Sequence, residues 1–305
     1  MKRHIKRRCM LRKLIRLACT LGAAILLLSG CGSAGDLKVP GSAKDIMAYV
    51  LEQTGQMKNM VGSCNMVMDL GYDAVGTDGQ VQMLSLQMTS DMAISCISDP
   101  MALHINMSQK IVTGDPESPE AEEEPALSYE IYGVTDEDSN MFTLYTGYQD
   151  QWYKEEVPLE QYEGVEQEMA IAADMADYED IGYVLMDVQD KVNNRDVYVL
   201  EGKLTDELLE GALTSFQGVT ELLGENLQID DFAAPVTYKV YKDDLKPAQL
   251  IMDFTEVMQQ LSETLDIEIY EVKMTYTFDE VNTELEINVP REAFSATDSI
   301  TSLEN

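Results

Sequence analysis

Cys64-Asn65-Met66-Val67-Met68-Asp69-Leu70-Gly71-Tyr72 is the stretch on which the fold turns. Its even-numbered side chains are apolar, and its odd-numbered ones are mostly small or polar. Successive side chains of a strand point to opposite faces, so this alternation describes a strand with one buried face and one wet face. The same period follows in Leu84, Leu86, Met88, Met92, Ile94 and Cys96, then in Leu103, Ile105, Met107 and Ile111. One-faced burial is the habit of antiparallel sheets.

Parity constrains the turns between these strands. Residues facing each other across an antiparallel pair share a face. The first two strands both bury even positions, so their loop has an odd number of residues, and Thr77-Asp78-Gly79 satisfies this. Pairing Gly76 with Gln80 then sets Cys64 opposite Met92. The third strand buries odd positions, so its loop is even; Ser98-Asp99-Pro100-Met101 fits, with Pro100 entering a type I turn.

Working outward, Ser42 caps a helix bearing Ile46, Met47, Val50 and Leu51, with Asp45 completing an approximate capping box. Strands are expected at Leu127–Ile131 and from Phe142 through Trp152 and Tyr153. A helix is expected over Leu159–Asp177, then a hairpin over Tyr183–Leu204 turning at Asn193-Asn194. Thr205 caps a further helix carrying Leu208, Leu209, Ala212, Leu213 and Phe216. A hairpin of Pro235–Tyr241 and Gln249–Phe254, a short helix Thr255–Leu265, and a strand burying Tyr270, Val272, Met274, Tyr276 and Phe278 follow. A last strand spans Glu284–Val289. Strands apolar on one face only, interspersed with helices, imply an α+β fold in which a single curved antiparallel β-sheet, a half-barrel, wraps a few α-helices.

The amino terminus has its own logic. Residues 1–16 carry eight Lys or Arg and no acid, and an apolar run follows from Leu17 to Leu28. That order is the pattern of a secretory signal. Twelve residues rise only ~18 Å as a helix, against a hydrocarbon core of ~30 Å, which suits an export signal better than a permanent span. Leu28-Ser29-Gly30-Cys31 resembles the lipobox of bacterial lipoproteins. The resemblance implies that Cys31 receives a lipid and becomes the mature N-terminus, anchored to the cytoplasmic membrane on its outer side. The organisation expected is a signal peptide 1–30, a flexible tether 31–42, a domain 43–292 with an acidic loop at 114–125, and a loose tail 293–305.

From Ser42 to about Arg291 the chain also looks like lipoproteins of Gram-positive bacteria related to the LolA/LolB/LppX-type half-barrel. The residues that carry this are Asn65-Met66-Val67-Met68-Asp69-Leu70, the hairpin Leu144-Tyr145-Thr146-Gly147-Tyr148-Gln149-Asp150-Gln151-Trp152-Tyr153-Lys154, and Ala234-Pro235-Val236-Thr237-Tyr238. The half-barrel relatives are similar in binding acyl chains or lipoproteins between sheet and helices, which implies an apolar ligand here.

Charge and cysteine content narrow the partners. The full chain carries a net charge of −34; with residues 1–30 removed, 13 basic residues face all 55 acids, giving −42. Such a surface repels nucleic acid and anionic head groups. Cys64 and Cys96 are the thiols left beyond Cys31. In the register above they sit four residues out of alignment, ~13 Å, where a disulfide needs Cα atoms within ~7 Å. Both are therefore expected as buried thiols without a bridge.

No reaction is written in the sequence. The mature chain has one histidine, His104, on the polar face of a strand, and no nucleophile elbow, zinc-protease helix, phosphate-binding loop or Cys-x-x-Cys. Asp136-Glu137-Asp138-Ser139-Asn140 opens like a calcium loop, but Met141 and Gly147 stand where glycine and a bidentate glutamate are required. A non-enzyme without cofactor or metal is the expectation. Met66, Met68, Met88, Met92, Met107 and Met274 fall on expected inward faces, and thioethers suit adaptable apolar sites. With Trp152 as a rim residue beside Tyr145, Tyr148 and Tyr153, they form the candidate cavity. The alternative is a non-catalytic surface interaction or scaffold protein with an ordinary packed core.

Overall fold

A computed structural model describes residues 41–54, 57–75, 81–114, 122–123, 126–136, 141–149, 151–158, 181–205, 208–209, 212–213, 232–262 and 267–298. The signal segment, the tether up to residue 40 with Cys31, the expected loop Thr77-Asp78-Gly79 and the expected helix 159–177 lie outside these residues, as does most of the acidic loop.

The described chain opens with helix α1 (Ala43–Thr54). Its start shows one half of the expected capping box, the Asp45 N–H donating to Ser42 Oγ at 3.2 Å, while the Asp45 carboxylate accepts from the Ser42 hydroxyl at 2.8 Å in place of the backbone N–H. Long strands follow, β1 (Asn59–Val75), β2 (Val81–Ser98) and β3 (Met101–Gly114), then the two-residue β4 (Glu122–Glu123). Next come β5 (Leu127–Asp136), β6 (Met141–Tyr148), β7 (Gln151–Pro158), β8 (Val184–Val192), β9 (Arg195–Thr205), β10 (Ala233–Tyr241) and β11 (Pro247–Asp253). Helix α2 (Thr255–Ser262), strand β12 (Ile267–Val281), a 3-10 turn (Arg291–Ser295) and β13 (Thr297–Asp298) complete the order.

All thirteen strands belong to one sheet, ordered β13-β7-β6-β5-β3-β2-β1-β12-β11-β10-β9-β8, with β4 beside β3. Pairing is antiparallel except between β13 and β7. The sheet keeps two edges and is not closed. Twisted open sheets of more than ~10 strands curl, and the architecture fits a curved half-barrel. It is mainly β rather than α+β, since α1 and α2 are short beside strands of up to 18 residues.

The register follows the parity argument. Cys64 faces Met92, Val75 faces Val81, and Met92 faces Met107. The β2–β3 loop is even but shorter than expected: Ser98 and Met101 are already paired, leaving Asp99-Pro100, whose peptide is cis, instead of the type I turn. Asn193 and Asn194 both take positive φ, as a two-residue hairpin of the primed type needs.

The inner face buries Met60, Cys64, Met66, Ile94, Leu103, Ile105, Ile131 and Leu200 in one core with Ile46, Met47 and Val50 of α1 and Val257 and Met258 of α2. Leu208, Leu209, Ala212 and Leu213 are helical and join the same core. The outer face carries two smaller clusters. One, on β8–β11, holds Val197, Val199, Tyr241 and Ala248, with the Arg195 guanidinium 3.7 Å above the Tyr241 ring. The other, on β5–β7, gathers Tyr132, Tyr145 and Trp152 beneath Ala293.

Several expectations need correction. The stretch 142–153 is not one continuous strand but the hairpin that the resemblance implied, turning at Gln149, whose φ is +50°. Glu284–Val289 is not a strand; Ile287 and Val289 instead pack into the outer cluster over Trp152. The tail from 293 is not loose at its start, since Ala293 is fully buried and Thr297–Asp298 extends the sheet. Tyr270 does not point inward. A bulge between the Asp69–Glu271 and Leu70–Ile269 pairs turns Ile269 into the core and Tyr270 out to 46% exposure.

Candidate ligand-binding site

Cross-strand rows build the inner face. One row runs Met252, Met274, Met66 and Ser90, and continues to Gln109 on β3. The next runs Tyr276, Cys64, Met92, Met107 and Tyr129. Met68 and Met88 face each other in a third. The structure thus brings five expected residues, Met66, Met88, Met92, Met107 and Met274, into the buried core, with Met68 half-buried beside them.

Trp152 is not with them. It pairs with Gly147, whose missing side chain lets the indole lie against the backbone, and it faces Tyr132 on the outer surface of the sheet. Tyr145 shares that outer cluster, whereas Tyr148 stacks on Tyr129 at 5.0 Å on the inner side. The aromatic hairpin therefore splits between two faces and forms no single rim. His104 also lies outside: its ring stacks on Tyr132 at 4.3 Å, and Nε2 sits 3.2 Å from Glu130 Oε1. It is more enclosed than a solvated side chain, and its partners among the described residues are Tyr132 and Glu130.

The inner face is not wholly apolar. Gln109 is buried, its amide donating to Met88 Sδ at 3.0 Å and to Ser90 Oγ at 3.4 Å. The Tyr276 hydroxyl is buried with no oxygen or nitrogen partner among the described residues, and the Cys64 thiol acts on it. Burial pushes the Cys64 thiol up to about 12, against a smaller opposing effect from Tyr276. These groups are neutral at pH 7, so the interior favours uncharged chemistry.

At one end the space between sheet and helix opens. A groove of about 620 Å³ lies where the last residues of β1, the first of β12 and the last turn of α2 meet. Tyr72, Met83, Ile267 and Ile269 give it apolar walls; Asp73, Gln259, Ser262, Glu268 and Tyr270 give it polar ones. Its volume falls within the ~300–1,000 Å³ of small-molecule sites. Tyr72 is four residues beyond Met68 on the same face, so the groove continues the methionine-bearing surface by ~13 Å. The sequence reading missed this groove, because Tyr270 seemed to belong to the buried set. The nearby acids Glu268 and Glu271 were the available signal. Among the described residues, no group of three or more His, Cys, Asp or Glu side chains could hold a metal ion, and no helix is long and apolar enough to cross a membrane.

These features define an open antiparallel half-barrel whose inner face packs on helices and opens at one end. The chain belongs to the family of unknown function DUF6612, whose model matches residues 42–298. No curated protein matches it. Among solved structures it is similar to LprF from Mycobacterium bovis, at 9% identity and a TM-score of 0.41 over 82% of this chain and 99% of that one. It is also similar to a beta-barrel-like protein of domain of unknown function DUF1849 from Brucella abortus. That likeness has 8% identity and a TM-score of 0.19 over 74% of this chain and 98% of that one.

Proposed function

We propose that this protein is a lipid-anchored, extracytoplasmic binding module that holds an apolar ligand, an acyl chain or lipid, between its sheet and its helices. The observation that carries the reading is that Tyr72, which lines the 620 Å³ groove, lies on the same strand face as Met68 and its partner Met88. A surface that is apolar, adaptable and open at one end suits a chain inserted lengthwise. Each methylene taken from water contributes ~0.8 kcal/mol, so a long chain needs few polar contacts. The anchor at Cys31, the location on the extracytoplasmic side of the cell membrane and the absence of catalysis belong to the same proposal. The acidic exterior keeps the module soluble and away from nucleic acid.

Native mass spectrometry of the soluble Cys31→Ala protein tests it. Extra mass of lipid size, or saturable uptake of added fatty acid or phospholipid, is the expected result. Absence of both would overturn it. The second reading, a scaffold with a filled interior, is favoured by the near-complete burial of Met66, Met92, Met107 and Met274; it predicts that negative outcome.

A further inference from the structure

We propose that the groove between the end of β1, the start of β12 and α2 receives the ammonium end of a cationic amphiphile, held by the rings of Tyr72 and Tyr270 and the carboxylates of Asp73 and Glu268. The proposal rests on the apolar-ligand reading for the tail of the molecule and adds the chemistry of its head.

The argument begins with the bulge. It turns Tyr270 outward, and Gly71 gives the ring room to lie against the strand: a Cβ there would sit 2.7 Å from the Tyr270 hydroxyl oxygen. The hydroxyl donates to Glu268 Oε2 at 2.9 Å, so a carboxylate is held at the edge of the aromatic ring. Tyr72 adds a second aromatic side chain to the lining, at the strand end where the two faces of the sheet meet the groove. A ring quadrupole attracts a cation at its face, quaternary ammonium groups in particular, and an adjacent carboxylate adds direct attraction.

Among the described residues the groove offers an anion no cationic side chain. No Lys or Arg is among its lining residues, and neither Asp73 nor Glu268 has a cationic partner among the described residues. Asp69, on the same outer face, has a carboxylate oxygen with no hydrogen-bond partner, and its charge acts on Tyr270 along with that of Glu268. An anionic head would meet uncompensated negative charge, whereas an ammonium head would neutralise it. The walls at Ile267 and Ile269 then lead the attached chain toward the core.

Three probes of equal chain length test this by titration calorimetry on the soluble Cys31→Ala protein in ~0.15 M salt, where the Debye length is ~8 Å: decyltrimethylammonium, decanol and decanoate. The cation should bind at least ~10-fold tighter than decanoate, with decanol between. Glu268→Gln with Asp73→Asn should erase that preference and leave decanol unchanged. Glu284→Gln with Glu286→Gln, an equal change of charge at exposed positions away from the groove, should preserve it. Equal binding of all three probes overturns the head-group proposal while the apolar reading stands. Equal loss of preference in both double variants also overturns it, because bulk charge would then be the cause. Failure of every probe to bind overturns both readings.

Discussion

Cys64 lies opposite Met92 across the β1–β2 ladder, while Cys96 lies opposite Met60, four residues further along. The two buried thiols stay unbridged because the register holds them apart, even in an oxidising compartment. Alkylation of native protein at pH 8 should therefore label neither, and labelling in denaturant should add two adducts in the Cys31→Ala protein purified without its signal segment. Buried Cys64 titrates near 12 against an ordinary 9. A raised thiol pKa leaves stability whole below pH 9 and removes it as pH rises from 9 toward 12, by about 1.4 kcal/mol per unit. Cys64→Ala should flatten the fall in urea midpoint between pH 9 and 11. An unchanged slope would contradict this.

Two glycines on β1 make opposite demands. A Cβ at Gly62 would lie 2.5 Å from the Thr277 carbonyl oxygen, a backbone atom that can yield only by moving the β12 ladder. A Cβ at Gly71 would meet the Tyr270 ring, the end of a movable, half-exposed side chain. Gly62→Ala should cost about 1–3 kcal/mol, as overpacking does, and Gly71→Ala clearly less. Urea denaturation compares them; equal costs would mean that the β1–β12 approach at Gly62 is looser than described.

Met107→Ala should cost about 2–5 kcal/mol and Met107→Leu under ~1.5 kcal/mol, because Met107 is almost fully buried between Met92 and Tyr129. A small cost for the alanine variant at Met68, which is half-buried toward the groove, would mark where close packing gives way to adaptable space. Thermal unfolding of the three variants reads this gradient.

Trp152 reports on the outer face, not on the proposed ligand. It lies beneath the turn that carries Ala293, which is completely buried. Ala293→Arg forces a charge into that cluster and should detach the turn, shifting the emission of the sole tryptophan to the red. Lipid addition should leave the emission where it is. A ligand-dependent shift would place the ligand, or its consequences, on the wrong side of the sheet.

What was legible in the sequence was whatever period two determines over a long strand. Alternation over Cys64–Tyr72, Leu84–Cys96 and Leu103–Ile111, inside strands of fourteen to eighteen residues, set the register, and Cys64 opposite Met92 followed from it. The reading failed where both neighbours are apolar. Ile269 and Tyr270 satisfy an inward position equally well, so the bulge that exchanges them leaves no trace in the pattern, and the groove it creates stayed hidden. Trp152 was misplaced for a related reason. Thr143, Tyr145 and Phe142 are buried on both faces of β6, one against the core and the other against the C-terminal turn, so alternation carries little information there. The contact that covers the outer face joins residues nearly 150 positions apart, beyond the reach of local patterning.

Tyr270 supplies a last prediction with an unambiguous sign. Its hydroxyl donates to Glu268, and deprotonation would set a phenolate beside a carboxylate, with Asp69 adding repulsion. The hydrogen bond first, and the charges with it, hold its titration above the ordinary value of 10. Glu268→Gln should lower the Tyr270 pKa, since an amide acceptor keeps the contact but removes the charge. A cation seated against the ring should lower it as well, by favouring the phenolate. NMR of ring-labelled tyrosine, assigned through Tyr270→Phe, follows both shifts. If Glu268→Gln leaves the titration unmoved, the carboxylate is not held at the ring, and the cation-binding geometry argued from that contact loses its basis.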